Sequence, residues 1–276
     1  MGSPFISIEF VWNIIKVALF RMIKGILQKA KVGGSTNSTF LALIPKEVNS
    51  MVFDHFRPIS LCNASYKILT KLFANRMKLL LEKLISPTQG GFFKGSHILD
   101  NVIMVQEIIH SSHQCQVQGM LIKVDMVNAF DWVRNYFLLQ VLSSFGFSSD
   151  FIKLIKASIG EPWIAPLVNG RPTNYFKASR GIRQGCPLSP SLYILMADSL
   201  SRKLTVEKLN GTLPGIMMIK ETILINHALL SDDFLLMGGA SIKIARAFND
   251  AIQRFCRVSG ALVNRRKSVG YGWVVD

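Results

Sequence analysis

The sequence predicts a mixed α+β fold, and three observations carry that prediction. Two strongly apolar stretches hold acidic residues: Met120 to Met126 contains Asp125, and Ile223 to Met237 contains Asp232-Asp233. Segments of helical apolar period lie between and around them. Asn169-Gly170 sits between two strand-like runs and marks a tight hairpin. Strands separated by helices favour one mixed sheet with helices on one face.

Taken in order, Phe5 to Leu27 repeats apolar residues at Ile8, Trp12, Ile15, Leu19, Met22 and Ile26. Glu9, Lys16, Arg21 and Lys24 interrupt it, so it reads as an amphipathic helix packed on the body, not a membrane span. Its basic, amphipathic character also fits a mitochondrial presequence. Val32 to Thr39 is a polar turn, and Phe40 to Pro45 a short strand. Arg57-Pro58 favours extended backbone in Asp54 to Ser60. Ser65 to Leu84 is a helix stopped by Pro87. Gln89 to Gly95 is glycine-rich, and Ile98 to His113 is a second amphipathic helix. Met120 to Met126 reads as a buried strand. Trp132 to Phe145 and Asp150 to Ile159 read as helices parted by Gly146, with Asp131 placed to cap the first. Pro162 to Phe176 is the hairpin, Pro187 to Leu204 a helix, Ile223 to Met237 an acidic hairpin, and Ile242 to Val258 a helix ending near Gly260.

The chain has 276 residues and a formal net charge of +15, from 32 Lys+Arg against 17 Asp+Glu. That excess favours a polyanionic partner, while an ordinary basic soluble protein is the plain alternative. The four cysteines are dispersed without a CxxC pair, which fits reduced thiols in an intracellular, nuclear or cytoplasmic protein that is not secreted. His110 and His113 share a helix face without a carboxylate or thiol partner in sequence.

Adjacent carboxylates between apolar runs are costly unless something neutralises them. A hard divalent cation answers that need with few carboxylates and substrate phosphates. An acidic pair on one hairpin and a single Asp on another strand suit two metals and phosphoryl or nucleotidyl transfer.

The ordered motifs resemble a reverse transcriptase of the plant LINE-type, non-long-terminal-repeat retrotransposons. They are Leu43-Ile44-Pro45-Lys46, Phe56-Arg57-Pro58-Ile59-Ser60-Leu61-Cys62-Asn63, Tyr66-Lys67-Ile68, Gln89-Gly90-Gly91-Phe92, Asp125, Arg180 to Pro190, Asp232-Asp233, Ser259-Gly260 and Asn264 to Ser268. The resemblance implies a right-hand polymerase fold with fingers and palm, the palm an antiparallel sheet with packed helices. Residues 1–40 would be a helix and lead-in, and 41–276 the reverse transcriptase domain, with the palm mainly 116–276. It implies an RNA template, a DNA primer and deoxynucleoside triphosphates as partners, with no membrane and no assigned protein partner. Mg²⁺ is the implied cofactor, with Mn²⁺ as substitute.

Residue by residue, the resemblance makes Asp125 and Asp232 the metal ligands and Asp233 the adjacent catalytic acid. Phe130 matches the aromatic that crowds the sugar 2′-carbon, although read alone it is a core residue. Arg180, Gln184 and Gly185 fall in the loop that lies against template base and incoming nucleotide. Lys46 and Arg57 match the triphosphate grip, and Lys267 the lysine near the leaving pyrophosphate. Read alone, each of these basic residues is a solvated charge.

The sequence also departs from the family pattern. Ser231 replaces Ala, Leu230 an aromatic, Cys186 an acid, and Asn128 and Ser96 replace basic residues. The chain stops soon after Lys267, so the resemblance implies a truncated copy lacking thumb, endonuclease and Cys/His knuckle. A non-catalytic nucleic-acid-binding relic and an unstable product are the competing readings. Group II intron maturases and viral RNA-copying enzymes share the acidic core, but the Phe56-to-Asn63 segment separates them.

Overall fold

The computed structural model describes residues 8–90, 98–218, 221–230 and 233–273. The helices are α1 (Ile8–Lys29), α2 (Ala64–Leu84), α3 (Ile98–Gln114), α4 (Asn135–Ser144), α5 (Ser149–Ile159), α6 (Ser189–Leu209) and α7 (Ile242–Ser259). The strands are β1 (Ser38–Pro45), β2 (Phe56–Cys62), β3 (Gly119–Val124), β4 (Trp163–Val168), β5 (Arg171–Pro172), β6 (Phe176–Lys177), β7 (Ile216–Met218), β8 (Glu221–Ile225), β9 (His227–Leu230), β10 (Asp233–Gly239) and β11 (Val269–Trp273).

They form three sheets. The first runs β2-β1-β4-β5, with β6 also on β4. Its β1 and β2 pair antiparallel, whereas β1 and β4 pair parallel, β4 arriving from far along the chain. The second runs β11-β3-β10-β9 and is antiparallel throughout. The third is the β7-β8 ribbon.

Alternation along β3 and β10 decides what each face of the second sheet meets. Val124, Phe234 and Leu236 point into the main core with Leu192, Tyr193, Leu200 and Phe255. Each fully buried side chain of this size contributes about 1.5–3 kcal/mol of transfer free energy. Helix α6 lies in the middle of this core and is buried nearly all round from Ser189 to Ser201, which is why that part of its sequence shows little amphipathic contrast. The opposite face is not bare. Leu235 and Met237 meet Val105 and Ile108 of α3 together with Ile216 of β7.

Two boundaries differ from the sequence reading. The apolar stretch from Ile223 is not one hairpin arm: it breaks at Asn226, so β8 joins β7 and only β9 reaches β10. Asn226 is buried, and its amide donates to the carbonyls of Leu204 and Leu213 at 2.9 and 3.1 Å. Meeting those demands pulls the backbone out of register. Helix α4 begins at Asn135 and not at Trp132, and Asp131 does not cap it. The backbone before it is already engaged, with Arg134 N–H donating to Ser259 and the Val133 carbonyl accepting from Gly181.

The N-terminal helix forms as expected, but only its last turns pack. Ile26 is buried with Met22 and Ile23 beside the core, while Trp12 is exposed. Among the described residues no helix is long and apolar enough to cross a membrane.

Candidate active site

Asp125 directly follows β3, and Asp233 opens β10. The ladder pairs Phe234 with Val124, so one further step of the same register sets Asp233 opposite Asp125. Directly opposed residues share a face. Lys123, two residues before Asp125, pairs with Asp233 at 2.8 Å. The Asp125 carboxylate is half-buried and makes no hydrogen bond or ion pair among the described residues. Asp232 and Ser231 lie outside the described residues, as do Gly91 to Gly95 and Ser96. No cluster of three metal-ligating side chains occurs among the described residues. An unpartnered oxygen donor beside a second acid fits a hard cation, and Asp125 with the Asp232-Asp233 pair would supply its donors.

The backbone of Asp125 is fixed by the segment that follows α7. Asn264 N–H donates to the Asp125 carbonyl at 2.8 Å, and Asp125 N–H donates to Ser268 Oγ at 3.1 Å. Met126 bridges to Val263. Lys267 is carried on this turn, exposed, without a side-chain contact to either acid.

After Asp125 the chain turns sharply. Asn128 adopts φ 39°, a left-handed conformation that Asn accepts more readily than most side chains. Lys46, just past β1, crosses from the first sheet. Its Nζ donates to Asn128 Oδ1 at 3.1 Å and to the Asp54 carbonyl at 2.8 Å. The position where the family pattern expects a base therefore accepts a hydrogen bond from one. Asp131 lies in the same turn, its pKa pushed up to about 6 by burial, which the Lys46 charge offsets only in part. Phe130 is half-buried and stacks on Tyr193 of α6, with centroids 5.0 Å apart.

The loop before α6 is clamped between this turn and β2. Gly181 N–H donates to Val133 O at 2.7 Å and Ile182 N–H to Phe130 O at 2.9 Å. A Cβ on Gly181 would sit 2.8 Å from the Asp131 carbonyl oxygen, and its φ of +89° is open chiefly to glycine. Ser60 N–H of β2 donates to Gln184 O at 2.8 Å, and Gly185, φ +95°, lies against Ser60 and Ile59. Arg180 is exposed and stacks on Trp132 at 4.1 Å. Arg57 of β2 is exposed, opposite Ile44 in the ladder, and contacts neither acid.

Sequence reading noted Arg183 in the loop beside Arg180 and Gln184 but gave it no role of its own. Its guanidinium is buried, lies 4.2 Å over the Tyr66 ring and donates to the backbone and side-chain oxygens of Asn37. An Arg inside a glycine-bounded loop was the available signal. The polar cluster behind β9 was also missed. There His227 contacts Ser201 at 2.7 Å and Asn226 at 2.6 Å, and burial holds its pKa down at about 4.

Residues 44–272 match the family described as reverse transcriptase (RNA-dependent DNA polymerase). The chain belongs to that family. It is 26% identical over 262 residues to the transposon TX1 uncharacterized 149 kDa protein of Xenopus laevis, covering 95% of this chain and 20% of that one. It is 25% identical over 230 residues to the Pol polyprotein of the element R2DM of Drosophila melanogaster, covering 83% and 21%. A mitochondrial protein of Arabidopsis thaliana, uncharacterized, is 43% identical over 67 residues, 24% of this chain and 55% of that one. The chain thus spans about a fifth of the length of the TX1 and R2DM relatives. A solved telomerase of Candida tropicalis, in complex with a fragment of telomeric RNA, shares the fold, with TM-score 0.62 at 14% identity, over 95% of this chain and 44% of that one.

Proposed function

We propose that this domain extends a DNA primer on an RNA template using deoxynucleoside triphosphates, and that it is of the plant LINE type. The observation that supports it best is the convergence at one end of β3. The lone Asp125, the start of the strand that opens at Asp233, the Lys46 crossing and the clamped loop before α6 all meet there.

In this reading the primer 3′-oxygen attacks the α-phosphorus as its proton passes to solvent. The bond to the β-phosphate oxygen breaks, and pyrophosphate departs. Mg²⁺, or Mn²⁺ in its place, supplies Lewis-acid stabilisation of the developing charge when bound at Asp125 and Asp232. Asp233, engaged by Lys123, supports the pair. Lys46 and Arg57 grip the triphosphate, and Lys267 faces the leaving group. Phe130 crowds the 2′ position. Arg180, Gln184 and Gly185 lie against template base and nucleotide. Fingers and palm are interleaved in 41–276, with the palm mainly 116–276 behind a 1–40 lead-in.

The test is extension of oligo(dT) on poly(rA) with Mg²⁺ and then Mn²⁺, beside Asp125→Asn and Asp232→Ala. Extension by the wild type that both substitutions abolish supports the proposal. Salt-sensitive template-primer binding with no extension would instead fit a non-catalytic binder. Asp233→Asn separates the paired acids, and in this reading it slows extension without abolishing it.

A further inference from the structure

We infer that the groove between α4, α6 and α7 is a docking site for an acidic amphipathic helix of a partner protein. The inference stands apart from the polymerase reading, because no residue placed in the catalytic machinery lines this groove.

Local sequence builds its walls. Phe137 and Val141 of α4 and Phe145 at its end recur every fourth residue, and Phe255 and Val258 lie three apart on α7. Such rows form ridges on a helix surface, and a furrow between two ridges is the shape that a third helix fills. Leu200 of α6, itself buried, closes the floor. The groove holds about 620 Å³. Its walls remain accessible: Phe137 and Phe145 are half-buried, and Val258 is 51% exposed. An apolar furrow of this kind takes a helix through side chains at i, i+3, i+4 and i+7.

Charge selects the occupant. Arg202, Lys203 and Arg254 line the groove, and no acidic side chain does. Two of these cations are already engaged. Arg202 pairs with the buried Asp198 at 2.9 Å. Lys203 holds Glu207 at 2.6 Å, which lowers the Glu207 pKa more than the Arg254 charge does. Arg254 forms no ion pair, not even with Asp250 one turn before it, among the described residues. Arg134 and Arg257 are exposed near Val258 and also lack an acidic partner there, the Arg134 guanidinium donating to the Arg257 carbonyl at 2.8 Å. The groove is therefore apolar along its length and cationic toward the end of α7. A helix with an apolar face and Asp or Glu at one end complements both features. Nucleic acid would answer the cations but not the apolar walls. The Phe137 and Phe255 rings meet edge to face at 80°, and Arg202 lies 4.3 Å over the Phe145 ring, so bases lack an open ring to stack on.

The experiment uses the full chain and a fluorescent peptide of about 18 residues, long enough to form a helix, with Leu at the four anchor positions and Glu at one end. Its control is the same composition in scrambled order. The ordered peptide should bind the wild type about tenfold or more tightly than the scrambled one, and Val258→Glu should remove that advantage. Arg254→Glu should weaken the Glu peptide about tenfold and strengthen a version with Lys in place of Glu. A misfolded variant could not show that gain.

A wild type that does not distinguish ordered from scrambled peptide overturns the inference, as does an advantage that survives Val258→Glu. So does an unpaired oligonucleotide that displaces the peptide and itself loses affinity in Val258→Glu, since the groove would then be a nucleic-acid site. A wild-type dimer that Val258→Glu dissociates overturns it as well, because the occupant would be a second copy of the chain.

Discussion

Arg183 and Tyr66 are stacked, with the guanidinium carbon 4.2 Å from the ring centre, and the Tyr66 hydroxyl donates onward to the Ser158 carbonyl at 2.9 Å. No acidic side chain pairs with Arg183 among the described residues, so a ring face and the oxygens of Asn37 hold its buried charge. Cation–π contacts of desolvated groups are worth about 2 kcal/mol. Arg183→Met strands the Asn37 oxygens and should cost about 2–4 kcal/mol, read as a lower denaturant midpoint. Because Gln184 is the next residue, the same variant should raise KM for the nucleotide more than it lowers kcat. Arg183→Lys keeps charge without the planar fork and should fall between.

The Lys46–Asn128 hydrogen bond makes a directional prediction. Asn128→Lys restores the family's usual base, yet places it against Lys46 and asks Lys to adopt φ 39°. The substitution should lower activity about tenfold through a weaker grip on triphosphate, and the loss should shrink at high salt. Asn128→Asp, which tolerates the backbone and attracts Lys46, should retain fold stability. Thermal melts and nucleotide KM check both.

Phe130 is half-buried and stacks on Tyr193, so its two readings separate cleanly. If it excludes the 2′-hydroxyl, Phe130→Val should improve ribonucleotide against deoxynucleotide incorporation by about tenfold or more. A purely structural ring would lower stability and leave that ratio unchanged.

Two groups, the buried His227 and the half-buried Asp131, respond to pH with opposite sign. The folded pKa of His227, about 4, lies below its ordinary 6.5. As pH falls from 6.5 to 4 the unfolded chain takes up the proton first, and about 3 kcal/mol of stability is lost. Asp131, raised from 3.8 to about 6, is protonated first in the folded state. Its contribution therefore recovers about 3 kcal/mol as pH falls from 6 to 4. The two nearly cancel in the wild type. Asp131→Asn should uncover the acid loss as a falling denaturation midpoint between pH 6 and pH 4, whereas His227→Gln should reverse the slope.

The framework was legible because its signals are local. Apolar runs holding Asp125 and Asp233 became neighbouring strands, and Asn169-Gly170 became the turn, at φ 50° and 75°. Non-local bonding set the features that were missed. Nothing near Trp132 in sequence announces that Val133 and Arg134 are claimed by Gly181 and Ser259. Nothing near Asn226 announces the Leu204 and Leu213 carbonyls that break the strand. The partners of Lys46 and Arg183 are likewise distant in the chain. Family motifs picked out those residues without revealing that Asn128 and Tyr66 would receive them.

Strand β3 has a consequence for how the domain is born. Its two neighbours, β10 and β11, both come from the last part of the chain, and the Asn264–Ser268 turn that fixes Asp125 lies between them in sequence. On the ribosome, the strand that leads into Asp125 emerges early and waits with both edges open while more than a hundred residues are made. Such delayed, long-range pairing slows folding and leaves an apolar strand exposed to misassociation. The strand that carries the chain into Asp125 is thus made well before either of the strands that close it.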